Sequence, residues 1–177
     1  MQRAKWGLVN RWARDKKRAA AINAKAETLE DRATFREAFQ QRRCVVAADG
    51  FYEWTGTKKN RQAMWIHPKD GGLFLFAGLF ESWYPAPNQP ELTFTIITCP
   101  PNNLIASIPN RMPVILSEGA AEDWMNRREP DPRSLSRLLI PAPVDLLAIQ
   151  SASPLANSVK NDGPELLDAT PAPFKLE

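Results

Sequence analysis

Apolar, β-branched and aromatic residues gather in short runs through the middle of the chain. The runs are Cys44-Val45-Val46-Ala47-Ala48, residues 51–55 (FYEWT), 62–67 (QAMWIH), 73–80 (LFLFAGLF) and 92–98 (LTFTIIT). Asp49-Gly50, Thr55-Gly56, Asp70-Gly71-Gly72 and Pro87-Asn88-Gln89-Pro90 punctuate them, so the pattern predicts strands joined as antiparallel hairpins. Helical spacing is rarer. Phe35, Ala38 and Phe39 recur at that spacing within residues 31–40, behind Asp31 as an N-cap. A second helix is expected to start after Ser117 and carry Trp124, and a short third to cover residues 134–139 before Pro141. A last apolar strand is expected at 144–149. These elements predict an α+β fold with a central antiparallel or mixed sheet and a few peripheral helices. Residues 1–163 read as one domain. The three prolines and absent periodicity of 164–177 predict a frayed or draped tail.

With 44% hydrophobic residues in 177, the chain can bury a core of its own. Charges interrupt the first seventeen residues, so no secretory leader is expected, and no apolar run is long enough to span a bilayer. Two cysteines, Cys44 and Cys99, argue against a disulfide framework or a thiolate metal cluster and fit a reducing cytoplasm. No metal, cofactor or membrane partner is expected. The net charge of +3 matters less than its placement. Arg3, Lys5, Arg11, Arg14, Lys16, Lys17 and Arg18 crowd the first eighteen residues, interleaved with Trp6 and Trp12. Phosphate attraction combined with base stacking would need that mixture, although a solvated basic edge beside two core tryptophans would look the same.

Three blocks place polar groups within apolar surroundings: residues 22–28 (INAKAET), 42–54 (RRCVVAADGFYEW) and 110–116 (NRMPVIL). In a strand, Phe51, Glu53 and Thr55 share one face and Tyr52 and Trp54 the other. If Glu53 lies in a partly closed cleft, desolvation raises its pKa and makes it a general acid or base; otherwise it is a surface glutamate on an edge strand. Asn23 and Lys25 alternate onto one face of an extended segment, as an amide and a cation contacting one ligand would, while a cap or turn role for Asn23 stays open. Arg111 precedes Met112-Pro113, where the proline holds the backbone extended; it reads either as a ligand contact or as a salt-bridge partner. His67 reads as an exposed strand-end histidine, and Cys44 as a buried strand residue with an inert thiol.

Taken in order, these blocks resemble the SOS response-associated peptidases, the family of abasic-site-processing proteins. The family pattern has an INARAET-like block, then RRCLVPADGFYEW, then a TTxAN-like segment leading to IHDRMP. This chain has INAKAET at 22–28, RRCVVAADGFYEW at 42–54, TCPPN at 98–102 and IPNRMP at 108–113. WGLVNRW at 6–12 is similar to the family's WGLIPxW. The resemblance covers roughly residues 5–160. It implies a fold of strongly twisted antiparallel or mixed β-sheets with a barrel-like core. It also implies binding of single-stranded DNA that contains an abasic site, in the context of DNA damage and the SOS response. In the family, an N-terminal cysteine exposed by self-processing captures the ring-opened sugar aldehyde, first as an imine and then as a thiazolidine, because its amine and thiol sit on one residue.

Carried onto this chain, the resemblance makes Glu53 the catalytic proton shuttle and Asn23 the active-site asparagine. Lys25 stands where a DNA-contacting arginine is usual, keeping charge and losing the bidentate fork. Arg111 matches a phosphate-contacting arginine, and Trp6, Trp12 and Trp54 match positions that stack on bases or wedge the strand. Two departures follow. The sequence begins Met1-Gln2, five residues before the WGL block, without the family's Met-Cys-Gly-Arg start, and Pro109 and Asn110 replace the histidine and aspartate of IHDRMP. An internal cysteine has no free α-amine, so neither Cys44 nor Cys99 substitutes, and proline offers no titratable group. Impaired chemistry is therefore expected. The alternatives are a non-covalent single-stranded DNA-binding module or an inactive fragment, with a sheet edge left uncovered for self-association.

Overall fold

In the computed structural model, residues 1–15, 20–57, 60–126 and 132–168 are described, without the side chains of 132 and 133. Two long strands organise the larger sheet, β6 (Phe74–Ala86) and β7 (Gln89–Cys99), paired antiparallel from Gly78↔Ile96 to Ala86↔Gln89. Pro87 and Asn88 form their turn. Proline fixes the first corner, and Asn88 takes the second at φ 61, a left-handed conformation that asparagine tolerates. β1 (Lys5–Trp6) and β2 (Asn23–Lys25) pair with β7 in parallel, and β8 (Met112–Pro113) pairs with it antiparallel. On the other side of the hairpin, β6 pairs with β3 (Arg43–Ala48) and β9 (Ile115–Leu116), giving a mixed seven-stranded sheet. A separate antiparallel sheet has the order β10-β5-β4, from β4 (Phe51–Thr57), β5 (Asn60–Pro68) and β10 (Leu147–Ser151).

The fold is thus α+β and strand-dominated. Among the described residues the strands form two sheets, without barrel closure. Two of the expected hairpins are corrected. Asp49-Gly50 and Asp70-Gly71-Gly72 connect strands of different sheets, because β3 and β6 belong to one and β4 and β5 to the other. Gly50 is needed for close approach: a Cβ there would meet the Ile66 carbonyl oxygen and the Trp65 ring at 2.5 Å. Thr55-Gly56 does not reverse the chain either. Gly56, at φ 83, lies inside β4, and the β4–β5 pairing runs on to Thr57↔Asn60.

Three α-helices occur among the described residues: α1 (Ala33–Gln41), α2 (Glu118–Met125) and α3 (Pro132–Ser136). α1 buries Phe35, Ala38 and Phe39, the periodic residues. Asp31 is not its cap: the Arg32 backbone holds that place without a side-chain bond. Arg36 reaches back to the Glu30 and Asp31 carbonyls at 2.6 and 2.9 Å. Ser117 does cap α2, accepting from the Ala120 N–H. α3 ends earlier than the apolar pattern suggests, since Leu138 and Leu139 close i→i+3 turns onto Leu135 and Ser136. Val144–Leu146 forms a 3-10 turn, and the last strand starts only at Leu147. Pro164–Leu167 is likewise a 3-10 turn, tied through the Leu166 carbonyl to the Ser153 N–H.

Among these residues the chain divides into two compact units. The first takes its residues from Met1–Ala47, Leu75–Pro100 and Arg111–Ala142, the second from Ala48–Phe74, Pro101–Asn110 and Pro143–Glu177. The first holds a core that includes Leu8, Leu29, Phe39, Leu79, Ile97 and Trp124. The second buries Met64, Ile66 and Phe74, together with a cluster of Ala63, Trp65 and Ala152 against which Tyr52, Trp54 and Leu167 pack. No helix among the described residues is long and apolar enough to cross a membrane.

Candidate functional site

In the second unit, β4 carries Glu53 opposite Met64 of β5, with Phe51 opposite Ile66 on the same face. Met64 and Ile66 are buried, so the carboxyl rises from an apolar strand surface and is itself half-buried. Burial pushes its pKa above the usual carboxylate range, against smaller opposing effects of a Trp54 backbone hydrogen bond and the Arg61 charge. The other face of β4 is structural. Tyr52 lies 4.8 Å from Trp65, ring to ring. Trp54 donates from its indole to Asn157 Oδ1 at 2.8 Å, and the Arg61 guanidinium lies over its ring at 4.9 Å. Trp54 is thus half-buried, with its indole N–H and one ring face engaged. His67 is half-buried and not exposed, stacked on Trp65 with Nδ1 3.0 Å from the Pro68 carbonyl oxygen. Pro109 is buried and Asn110 exposed.

In the first unit, the WGLVNRW block splits by burial. Leu8 and Val9 are core residues, held where the Leu8 N–H bonds Ala21 and the Val9 N–H bonds Thr93 Oγ1. Trp6 and Trp12 remain 57% and 66% exposed, which excludes the reading of both as core tryptophans. Trp6 is oriented by its indole, which donates to the Ile22 carbonyl at 2.7 Å. Of the basic cluster, Lys5 pairs with Glu91 at 2.7 Å and Arg11 with Glu37. Lys16, Lys17 and Arg18 lie outside the described residues.

β2 presents Asn23 and Lys25 to solvent on one face, with Ala24 buried between them. Just beyond, Glu27 holds Arg111 in a two-point ion pair: Nη1 to Oε1 at 3.1 Å and Nη2 to Oε2 at 2.7 Å. The guanidinium is also anchored on β7, Nε donating to Thr98 Oγ1 at 2.9 Å and Nη2 to the Thr98 carbonyl at 2.6 Å. The Arg111 hydrogen bond holds the Glu27 pKa below its ordinary value. Of the two readings open for Arg111, the salt bridge is thus present. Its partner was not foreseeable, because Glu27 lies 84 residues away in sequence and no local spacing links them.

The cysteines are poor nucleophiles. Burial raises the Cys44 thiol to about 12 and the Cys99 thiol to about 11, so both stay protonated near neutral pH. No group of three or more His, Cys, Asp or Glu placed to hold a metal occurs among the described residues.

The chain as a whole is similar to known proteins. The family model for SOS response associated peptidase (SRAP) matches residues 1–159. The chain is 42% identical over 167 residues to the abasic site processing protein YoqW of Bacillus subtilis, covering 93% of this chain and 75% of that one. It is 31% identical to the abasic site processing protein HMCES of Gallus gallus, spanning 92% of this chain and 55% of that longer relative. The fold is similar to a crystal structure of a Bacteroides thetaiotaomicron protein, with TM-score 0.83 and 28% identity over 93% of this chain and 75% of that one. The chain belongs to the SOS response associated peptidase family.

Proposed function

We propose that this chain binds single-stranded DNA at abasic sites and that Glu53 transfers protons in the aldehyde chemistry there. The observation that carries the catalytic part is the desolvated carboxyl on β4, whose raised pKa suits a group that must both give and take a proton. When an amine condenses with the ring-opened sugar aldehyde, protonated Glu53 donates to the hydroxyl that leaves as water. The resulting carboxylate then takes the proton that the iminium nitrogen releases, which leaves a neutral imine and restores the acid. Asn23 and Lys25 supply an amide and a cation from one exposed face. Arg111 meets a phosphate, and the exposed Trp6 and Trp12 stack on bases.

Covalent capture asks for an amine and a thiol on one residue, which neither Cys44 nor Cys99 offers. Pro109, at the position similar to the family's histidine, brings no proton-transfer group. It favours a second reading, in which the chain binds abasic DNA with weakened turnover. Binding is tested by titrating a fluorescent single-stranded oligonucleotide, with and without an abasic site, across a salt series. Affinity is expected to fall with salt, and Trp6→Ala or Trp12→Ala to weaken it about fivefold or more. Affinity indifferent to salt and to both substitutions would overturn the DNA-binding reading.

A further inference from the structure

The Arg111 guanidinium is gripped on two sides with different character. On the inner side, Thr98 fixes Nε and Nη2 through its hydroxyl and carbonyl, and Thr98 is itself buried and bonded to the Ala24 carbonyl. On the outer side, the Nη1/Nη2 edge is filled by the Glu27 carboxylate, whose side chain is 47% exposed while that of Arg111 is 24% exposed. That edge is the one a phosphate would engage, because carboxylate and phosphate offer the same paired-oxygen geometry to an arginine fork. The inner anchors set the direction of the guanidinium without Glu27. The outer partner sits in solvent, where an ion pair of this kind is weak and exchangeable.

We propose that Glu27 is a specificity-determining residue that occupies the Arg111 fork as a carboxylate stand-in for a DNA phosphate and must be displaced for the phosphate to bind. This rests on the reading of Arg111 as a phosphate contact. Glu27 thereby lowers affinity for any passing polyanion and reserves the fork for a strand held by further contacts. Lys25, which also acts electrostatically on Glu27, offers the displaced carboxylate a cation on the same side.

The test compares wild type, Glu27→Gln, Arg111→Ala, the double variant, and Glu30→Gln, which removes one charge from an exposed neighbour. The probe is an undamaged fluorescent oligothymidylate titrated across a salt series, with melting curves to confirm folding. Glu27→Gln is expected to bind about fivefold tighter, the size of releasing one partly exposed ion pair. Its plot of log affinity against log salt should steepen by about 0.7, one more phosphate neutralised. Glu30→Gln should show less than half that gain, and the double variant none of it. If Glu27→Gln fails to fold, Glu27→Asp, with shorter reach, should show a smaller gain in the same direction. Wild-type binding that Arg111→Ala weakens, with no gain in a folded Glu27 variant, overturns the displacement and leaves the Arg111 contact standing. Binding and salt slope unchanged in Arg111→Ala overturn the contact and the displacement with it.

Discussion

Arg43 and Trp124 are bonded and stacked at once: Arg43 Nε donates to the Trp124 carbonyl at 2.7 Å, and its guanidinium lies 5.8 Å from the centre of the Trp124 ring. Arg43 also donates to the carbonyls of Phe39, Gln40 and Asn126, so one buried cation closes the C-terminal ends of α1 and α2. Helix C-termini carry unpaired carbonyls and partial negative charge, which a planar guanidinium can satisfy several at a time.

Arg43→Met should therefore cost about 3–5 kcal/mol by leaving buried carbonyls unpaired. Arg43→Lys should recover little, since an ammonium cannot reach both helix ends. Denaturant midpoints check both, and an Arg43→Lys variant as stable as wild type would contradict the capping role.

The same substitution at two glutamates should move stability in opposite directions. The folded-state pKa of Glu53 lies above its ordinary value, so its charged form is disfavoured by folding, and stability falls as pH rises through that range. Glu53→Gln should melt higher than wild type at neutral pH, with the gap closing in acid below the ordinary carboxylate value. Thermal melts across pH decide it; a Glu53→Gln variant less stable at neutral pH refutes the desolvated carboxyl.

For Glu27 the sign reverses. Its folded-state pKa is depressed, so its contribution is present above the ordinary value and is lost as pH falls through the folded one. Glu27→Gln should melt lower than wild type at neutral pH. The loss should not exceed about 1 kcal/mol, because the pair is partly exposed, and should vanish in acid.

Thiol labelling gives a further check. With pKa values of about 12 and about 11, native Cys44 and Cys99 should alkylate far more slowly near neutral pH than in the denatured chain. A Cys44→Ala/Cys99→Ala chain should keep whatever abasic-site activity the wild type has. Loss of a DNA adduct in that folded variant would make one of them the nucleophile.

The strands were legible because their β-branched and aromatic runs need no long-range information, and Ser117 announced α2 by its own cap. Sheet membership was not legible. Asp49-Gly50 looks like a hairpin turn, and only the pairing of β3 with β6 and of β4 with β5 reveals that the chain changes sheets there. The INAKAET, FYEWT and NRMP blocks drew attention to Asn23, Lys25, Glu53 and Arg111. Spacing said nothing of Glu27 on Arg111, a pair 84 residues apart that forms only once distant segments fold, nor of the β4–β5 register that sets Arg61 over Trp54. Likewise, the pattern showed that Trp54 and Glu53 take opposite faces of β4 without showing that the tryptophan face is packed.

The central claim is proton transfer by Glu53 at an abasic site. It is tested most directly by incubating the purified chain with single-stranded DNA bearing one abasic site and resolving the products on a denaturing gel. The account predicts a shifted adduct or strand cleavage that falls by about a hundredfold or more in Glu53→Gln, with DNA binding retained. Products formed equally by wild type and Glu53→Gln, or by neither, would contradict it.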